Sequence, residues 1–357
     1  MLILETCSDL PPVSVAQRHH IAEGPTERQE HQALVASVPA FERVELAEPP
    51  TPAPPPARSA RVAFWNAERC KYPAPSAELL RGRAADVTLL CEMDLGMVRS
   101  GQSHTTRQLA ADIGQGYVFA VEYLELGLGD IRERSWHAGA ENSHGMHGAA
   151  IVSPCRLHRP ALIRLETSGD WFDGGRGERR VGGRIALAAT VSVGGTDVTF
   201  VSIHFESHSD PEHRTEQMRT VLAAIDEYAL DAPVIMGGDF NTNSVAHDEL
   251  DGPLGKVALL TTDSERFIDP VHHELLFGVA AAAGYDWADA NTRQATQRTR
   301  PDGTPRPPLG RLDWFFTRGL TVADPLTVPA IDKDGMAISD HDLLQVKISV
   351  NSATPHA

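Results

Sequence analysis

Cysteine is scarce in this sequence, and its spacing excludes two kinds of structural site. Only 4 of the 357 residues are cysteine, and no two of them form a Cys-x-x-Cys pair. A disulfide framework or a thiolate zinc site depends on cysteines at characteristic close spacings. We therefore expect neither kind of site. The four scattered residues are Cys7, Cys70, Cys91 and Cys155.

Positive charge is also in short supply. The chain has 32 lysine and arginine residues against 48 aspartate and glutamate residues, which gives a formal net charge of −16. Proteins that grip long nucleic acids usually present a basic face, because neutralising phosphates releases counterions. The charge balance therefore favours a small substrate over nucleic acid, although a local basic groove is compatible with the same total.

Long apolar runs are absent as well. No uninterrupted apolar segment approaches the length needed to span a membrane. The first residues, Met-Leu-Ile-Leu-Glu-Thr, lack the basic start and long apolar core of a secretory signal. With 41% hydrophobic and 22% charged residues, the composition is that of an ordinary soluble globular protein. We expect a cytoplasmic location and no membrane span, and the sequence indicates no particular oligomeric state.

A proline-rich stretch divides the chain into two unequal parts. Residues 48–56 are Glu-Pro-Pro-Thr-Pro-Ala-Pro-Pro-Pro, a composition typical of semi-rigid extended spacers. We predict an N-terminal extension and linker at 1–57, a catalytic domain at 58–352 and a short tail at 353–357. Within the extension, one short helix is predicted near residues 27–38, and a poorly ordered tail is the default expectation.

After residue 58, strand and helix patterns alternate, which predicts an α/β structure. Strands at 61–66 and 86–91, with a helix at 77–84 between them, are expected to be neighbours in one sheet. Residues 124–145 show no clear period and are predicted to form a long functional or mobile loop. Further helices are predicted at 105–113, 211–228 and 270–283, and further strands at 117–122, 148–153, 184–193, 198–205, 311–317 and 343–350.

The stretch Ala-Pro-Val-Ile-Met-Gly-Gly-Asp-Phe-Asn-Thr-Asn, residues 232–243, is the most informative part of the chain. Its apolar residues, closed by two glycines, predict a short buried strand. Asp239 and Asn241 follow at the carboxyl end, where open α/β sheets place their ligands. A carboxylate beside a carboxamide can hold an attacking water and donate a hydrogen bond to a charged oxygen. The same letters fit an Asx-rich turn, so other residues must decide.

Other polar residues also stand at the ends of predicted strands. Asn66 follows Phe-Trp, Glu92 follows Leu-Leu-Cys, and Asp313 lies within Arg-Leu-Asp-Trp-Phe-Phe. His341 follows Ser-Asp just before the last strand, and His204 lies in Val-Ser-Ile-His-Phe. Each residue alone fits a turn cap or a packing role, and their joint occurrence is what indicates a site.

Together these motifs resemble those of the endonuclease/exonuclease/phosphatase superfamily, over about residues 61–350. The resemblance implies a deoxyribonuclease-like four-layer α/β sandwich, with two packed mixed β-sheets flanked by helices and a site at one edge. It also implies hydrolysis of a phosphoester with a divalent cation, commonly Mg²⁺, with Mn²⁺ or Ca²⁺ as alternatives. The motifs are, in chain order, Phe-Trp-Asn66, Leu-Leu-Cys-Glu92, Gly148-Ala-Ala-Ile-Val-Ser, Ser-Ile-His204, Gly-Gly-Asp239-Phe-Asn241, Arg-Leu-Asp313 and Ser-Asp340-His341.

The resemblance assigns three residues to metal binding. Glu92 would be the principal ligand with Asn66 beside it, and Asp340 would be a second-metal or outer ligand. These residue types suit the chemistry, because Mg²⁺ prefers oxygen ligands and is bound by few carboxylates and several waters.

The resemblance assigns five residues to catalysis. Asp239 would orient or deprotonate the attacking water, and Asn241 would steady the phosphoryl oxygens. His204 would contact a phosphate oxygen. His341 would act on the phosphate or as general acid or base, while Asp313 would fix its tautomer through the other ring nitrogen.

Three further residues are candidates for substrate contact. Arg298 and Arg300 precede the Asp313 strand and could bind phosphate oxygens through guanidinium forks. His144 belongs to the 124–145 stretch and could form part of a substrate wall. The alternative to substrate contact, for all three residues, is a position in a solvated surface loop.

The sequence therefore predicts a metal-dependent phosphoesterase that acts on a small or head-group monoester or diester by in-line attack of an activated water. One alternative is an endonuclease or exonuclease acting on DNA or RNA, whose activity would fall steeply with salt. A less favoured alternative is a non-catalytic binding module on the same fold, because every motif residue is present.

Overall fold

Two mixed β-sheets are stacked at the centre of the computed structural model, which describes residues 2–166, 169–175, 177–244, 262–298 and 310–350. Within these residues, one sheet has six strands and the other has nine. The six-stranded sheet runs, in spatial order, through β1 (Leu2–Ile3), β8 (His158–Arg164), β10 (Ile185–Val193), β11 (Thr196–His204), β12 (Val234–Asp239) and β13 (Asp313–Arg318). The nine-stranded sheet runs through β14 (Leu320–Val328), β15 (Leu343–Val350), β4 (Ser59–Arg69), β5 (Val87–Leu95), β7 (Met146–Ser153), β6 (Gly116–Glu125), β3 (Val44–Ala47) and β2 (Thr6–Cys7), with β9 (Arg180–Gly182) also paired to β6.

Helices cover the outer face of each sheet. The nine-stranded sheet is covered by α1 (Val15–Glu23), α2 (Arg28–Ser37), α3 (Pro73–Arg83) and α4 (Thr105–Ile113). The six-stranded sheet is covered by α6 (Pro211–Ala229) and α8 (Leu276–Ala282), and two short helices, α5 (Ile131–Trp136) and α7 (Glu265–Ile268), lie in connections. These four layers confirm the predicted fold class. In the described part of the chain, no helix is both long and apolar enough to cross a membrane.

Strand β4 shows how the sequence builds the layers. Its side chains alternate between the two faces of the sheet, as a period of two requires. Val62 and Phe64 belong to the core between the sheets, whereas Ala63 and Trp65 belong to the core beneath the helices. Both faces are buried, and the strand is therefore an almost continuous apolar run that ends at the polar Asn66.

The N-terminal segment 2–47 packs against the rest of the molecule. Leu2 pairs with Ile163 in the six-stranded sheet, and Glu45 pairs with Phe119 in the nine-stranded sheet. The buried Glu45 carboxylate accepts hydrogen bonds from Tyr117 Oη at 2.5 Å and from the Arg107 guanidinium at 2.8 Å. The segment thus contributes strands to both sheets, in contrast to the default expectation of a poorly ordered tail. The domain boundary at residue 58 stays a prediction.

The 124–145 stretch, which was predicted to be one loop, also contains regular structure. Strand β6 continues to Glu125, and α5 follows with Asp130 as its N-cap. The Asp130 carboxylate accepts from the backbone N–H of Glu133 at 2.9 Å, and the Glu133 carboxylate accepts from the backbone N–H of Asp130 at 3.0 Å. The helix is only 6 residues long, which explains why no apolar period was visible.

One other local prediction was wrong, and some strands were missed. The helix expected at 270–283 is a 3₁₀ turn at Pro270–His272 followed by α8. The interruption contains Glu274, which turns inward to a buried ion pair with Arg214. Strands β8 and β14 were not predicted, since each contains a proline and β14 lies at the sheet edge with a register shift.

Candidate active site

Polar side chains from both sheets meet at one edge, because the strands that carry them end there. Asn66 and Glu92 lie near the ends of the paired strands β4 and β5. In the other sheet, Asp239 pairs with His204 on one side and with Asp313 on the other. Asn66 Nδ2 joins the two groups by donating to Glu92 Oε1 at 3.2 Å and to Asp239 Oδ2 at 3.0 Å.

The carboxylate of Asp239 is the centre of this arrangement. Its Oδ1 accepts from the backbone N–H of Asn241 at 3.0 Å. Its Oδ2 lies 3.8 Å from His341 Nε2 and 3.9 Å from His204 Nε2. Both imidazoles therefore point at one carboxylate oxygen, which also accepts from Asn66, and the cluster predicted from the sequence is brought together.

His341 is held by a buried carboxylate behind it. His341 Nδ1 lies 2.8 Å from Asp313 Oδ2, and Trp65 Nε1 donates to the His341 carbonyl at 3.0 Å. Burial lowers the pKa of His341, but the charges of Asp313 and Asp239 outweigh it and raise this pKa to about 10. Burial raises the pKa of Asp313 to about 6 despite His341. The pair is therefore ionic at neutral pH, with Nε2 of His341 protonated and directed toward Asp239.

His204 has a corresponding partner that the sequence analysis missed. Glu122 Oε2 lies 3.2 Å from His204 Nδ1, and Arg184 Nη1 donates to Glu122 Oε1 at 2.6 Å. The same Arg184 nitrogen lies 2.9 and 3.0 Å from the two ring nitrogens of His204. Arg184 also donates from Nε to Glu206 at 3.1 Å. The signal available in the sequence was a carboxylate inside an otherwise apolar predicted strand. In the structure, this Glu122 side chain is completely buried.

Glu92 lies on the other side of Asp239, in a strained backbone conformation. Its φ of 54° is left-handed, which is rare for a residue with a long side chain. Its Oε2 accepts from Arg69 Nη1 at 2.6 Å. Burial raises the pKa of Glu92, but the adjacent Arg69 outweighs burial and holds this pKa well below the ordinary value. Glu92 is therefore ionised at neutral pH and has the chemistry of an oxygen ligand.

The surroundings of Glu92 fit a hard divalent cation. Glu68, two residues after Asn66, is buried, and its Oε2 has no hydrogen-bond partner among the described residues. Burial, and then the negative charge of Asp340, raises the pKa of Glu68. Elsewhere in the site, ligand atoms of Asp239, Asp313 and His341 all lie within 4.8 Å of one another. An excess of carboxylate oxygens with an unpaired buried oxygen is the donor set that Mg²⁺-like ions prefer. Glu68 was not predicted.

The remaining predicted site residues have different positions. Asn241 Nδ2 donates to the carbonyl of Phe205 at 2.9 Å. The Arg298 guanidinium pairs with Asp342, while its backbone N–H donates to the Asp340 carbonyl at 2.7 Å. Arg300 lies outside the described residues.

His144 is engaged with neighbours that belong to no part of this cluster. Its Nδ1 lies 3.1 Å from Ser143 Oγ, and its carbonyl accepts from Arg18 of α1 at 3.0 Å. The structure therefore does not bring His144 together with Asp239, and its substrate role stays a prediction.

The ends of two packed sheets thus carry a carboxylate–histidine pair, a second histidine and a group of acidic side chains. The sequence model of the Endonuclease/Exonuclease/phosphatase family matches residues 63–341. The chain belongs to this family. Its members are typically phosphoesterase hydrolases and generally depend on a divalent metal.

Solved structures show the same fold. An endonuclease/exonuclease/phosphatase from Beutenbergia cavernae DSM 12333 has a TM-score of 0.54 at 20% identity, covering 83% of this chain and 72% of that chain. A functionally unknown conserved protein from Enterococcus faecalis V583 has a TM-score of 0.53 at 13% identity, covering 82% of this chain and 100% of that chain. The human Nocturnin catalytic domain with bound sulfate has a TM-score of 0.50 at 17% identity, covering 88% of this chain and 98% of that chain. These likenesses concern the fold alone. No curated protein matches the chain significantly in sequence.

The Glu122 contacts predict a pH-dependent loss of stability. Burial raises the pKa of Glu122, but His204 and then Arg184 outweigh burial and lower this pKa from 4.5 to about 2. Because the folded-state pKa is depressed, the ionised carboxylate contributes stability above about pH 4.5. That contribution is lost as pH falls toward 2. We expect Glu122→Gln to lower the free energy of unfolding by about 3 kcal/mol at pH 7 and by less than half of that at pH 3.

Urea unfolding at the two pH values measures this difference. Glu78→Gln, at an exposed position on α3, is the matched control and should change the free energy of unfolding by less than about 0.5 kcal/mol at either pH. A Glu122→Gln deficit of the same size at pH 7 and pH 3 would contradict the assigned ionisation.

Proposed function

We propose that this protein is a divalent-metal-dependent phosphoesterase that hydrolyses a small or head-group phosphoester by in-line attack of an activated water. One observation carries the proposal: His341 Nε2, His204 Nε2 and Asn66 Nδ2 all converge on Oδ2 of Asp239. A carboxylate surrounded by donors from both sheets is suited to orient a water molecule and a phosphoryl group at the same point.

Asp239 is the proposed orienting group or general base for the attacking water. Its carboxylate is held in position by hydrogen bonds from the Asn241 N–H and from Asn66 Nδ2. His341, protonated at neutral pH and held by Asp313, donates its Nε2 proton to a phosphoryl oxygen or to the leaving group. These roles, with Asp239 as base and His341 as acid, are those of general acid–base catalysis in which a buried carboxylate fixes the histidine tautomer.

Glu92 and Asn66 would hold the metal. The nearby carboxylates of Glu68 and Asp340, which repel each other, would add negative charge that favours the cation. Mg²⁺ is the proposed ion, with Mn²⁺ or Ca²⁺ as substitutes, because all of these groups are oxygen donors. When bound, such an ion supplies positive charge where negative charge grows on the phosphoryl oxygens. His204 and Asn241 add hydrogen-bond donors at the same oxygens.

A small substrate is favoured by the net charge of −16, which opposes long polyanions. The cations near the site are few and largely paired. Arg184 pairs with Glu122 and Glu206, and Arg298 pairs with Asp342.

Metal removal tests the proposal. The purified protein should hydrolyse 4-nitrophenyl phosphate or bis(4-nitrophenyl) phosphate in Mg²⁺, and EDTA should lower the rate at least about 100-fold, because the cation supplies several kcal/mol of transition-state stabilisation. Added Mg²⁺ should restore the rate. Plasmid nicking, measured in parallel, separates a small-molecule esterase from a nuclease. Hydrolysis that is insensitive to EDTA would refute the metal requirement.

A further inference from the structure

Arg69 places a guanidinium beside the carboxylate proposed to hold the metal. Its Nη1 donates to Glu92 Oε2 at 2.6 Å, and the two side chains are 18% and 17% exposed. The proposed attack of water on the phosphoryl group makes no use of this cation. A partly exposed arginine at the centre of a hydrolytic site therefore needs a separate explanation.

The backbone around Arg69 is shaped to deliver it there. Glu68, Arg69 and Cys70 have φ values of 43°, 67° and 52°, three consecutive left-handed residues without a glycine. The β4–β5 register shifts between Asn66 and Arg69. Such conformations are costly and persist at functional sites when surrounding contacts hold them. This irregularity at the end of β4 sets Arg69 opposite Met93 and its side chain alongside Glu92.

Glu133, on helix α5, holds Arg69 from the other side. Glu133 Oε1 lies 3.5 Å from Arg69 Nε, and Glu133 Oε2 accepts from Arg99 Nη1 at 3.2 Å and from the Asp130 backbone at 3.0 Å. A Cβ at Gly129 would lie 1.9 Å from Glu133 Oε2, so the turn before α5 closes tightly on this carboxylate. Glu133 is 2% exposed and cannot swing away. Arg69 is therefore hydrogen-bonded at Nη1, while its buried Nε faces the Glu133 carboxylate without a hydrogen bond.

The Nη2 group of Arg69 is left for a ligand. It donates to no acceptor among the residues that the structure describes, whereas Nη1 is committed to Glu92. Lys71 lies close by, 17% exposed and 2.9 Å from Glu68. The same end of the site thus presents a fixed guanidinium with a free donor, supported by a second positive charge.

We propose that Arg69 binds a non-bridging oxygen of a terminal phosphate group, so that the preferred substrate class is the phosphomonoester. This inference rests on the proposed phosphoesterase function and specifies its substrate. A terminal phosphate carries up to two negative charges near neutral pH and has three acceptor oxygens, whereas a diester carries one charge and has two such oxygens. Guanidinium groups match phosphate oxygens in geometry and charge better than ammonium groups do. The extra oxygen and charge of the monoester are what Arg69 can recognise.

A different role for Arg69 gives a different result. If Arg69 only neutralises Glu92, its loss changes the affinity for metal and affects every substrate alike. If Arg69 contacts the terminal phosphate, its loss affects monoesters selectively at saturating Mg²⁺. The ratio of kcat/KM for a monoester and a diester therefore separates the two roles.

The first test compares Arg69→Gln with the wild-type protein on 4-nitrophenyl phosphate and bis(4-nitrophenyl) phosphate. We expect kcat/KM to fall about 10- to 100-fold more for the monoester, the range typical of a lost hydrogen bond to a charged group. Arg69→Lys keeps the charge but loses the forked guanidinium, so its monoester-to-diester ratio of kcat/KM should lie between those of the wild type and Arg69→Gln. This variant preserves the test if Arg69→Gln folds poorly. Arg134→Gln is the control, since it removes one exposed arginine from the same helix as Glu133. Its ratio should equal that of the wild type.

The second test measures binding without turnover. Titration calorimetry in Mg²⁺ should show that Arg69→Gln weakens binding of inorganic phosphate at least about 10-fold and binding of dimethyl phosphate by less than about threefold. An equal fall in kcat/KM for both esters, or an equal fall in affinity for phosphate and dimethyl phosphate, would overturn the inference while leaving the phosphoesterase function intact. If the wild type hydrolyses neither ester, the proposed function fails. Selective weakening of phosphate binding would still support the anion contact in that case, and unchanged binding would overturn it.

Discussion

Asp239→Asn is expected to lower kcat/KM for any hydrolysed phosphoester by at least about 10³-fold while the fold is retained. The amide has the same shape, but it carries no charge and cannot take a proton from water. It also turns an amino group toward one of its present partners, since the two Asp239 oxygens accept from Asn66 Nδ2 and the Asn241 N–H. Losses of this size accompany removal of the central carboxylate or of oxyanion donors in other hydrolytic sites.

The measurement is steady-state hydrolysis of the monoester and the diester at saturating Mg²⁺, with a thermal melt to confirm folding. Asp231→Asn is the matched control, because Asp231 is exposed and lies just before the same strand, β12. It should leave kcat/KM unchanged within about twofold. Equal turnover by the wild type and Asp239→Asn would show that the chemistry occurs elsewhere.

Arg214→Met is expected to cause a large loss of stability. Arg214 and Glu274 form a two-pronged ion pair, with Nη2–Oε1 and Nε–Oε2 distances of 2.6 and 3.1 Å, and neither side chain is exposed. Removing one partner of a buried pair leaves an uncompensated charge and typically costs about 3–5 kcal/mol. We expect the free energy of unfolding to fall by that amount, which chemical denaturation will measure.

The same substitution should also disturb the loop that follows β12 and contains Asn241. Glu274 Oε1 accepts from the backbone N–H of Ser244 at 2.7 Å, three residues after Asn241. Arg219→Met on the same helix is the control, since its ion pair with Glu216 is 52% and 67% exposed. Exposed pairs are worth at most about 1 kcal/mol, so this variant should stay close to the wild type. A similar loss in both variants would mean that helix propensity, not the buried pair, sets the effect.

The part of the site that was predictable from sequence lies where apolar strands end. Val234 to Met236 are buried because they are apolar, and Asp239 follows them at the carboxyl end of β12. Such positions can be recognised one strand at a time. The pairing of Asp313 with His341 required the family resemblance, because 28 positions of chain separate the two residues.

The part that could not be predicted consists of charged groups whose partners are remote in sequence. Glu122 and His204 are 82 positions apart, and Glu122 lies inside an apolar strand where a charge is unexpected. Glu68 and Arg69 occupy an irregular end of β4 and have left-handed backbone conformations that such residues rarely adopt. Local patterns carry no information on such pairings, which depend on how the two sheets are stacked.

The N-terminal residues have a consequence for how this chain reaches its final form. The strand partner of Leu2 is Ile163, so the chain between these two residues must be synthesised before they can pair. Until then, or in a protein trimmed to start at residue 58, β8 and β6 would each present open backbone amides and carbonyls, a recognised route to intermolecular strand addition. Residues 2–47 therefore cover backbone edges of β8 and β6 as well as contributing strands to both sheets.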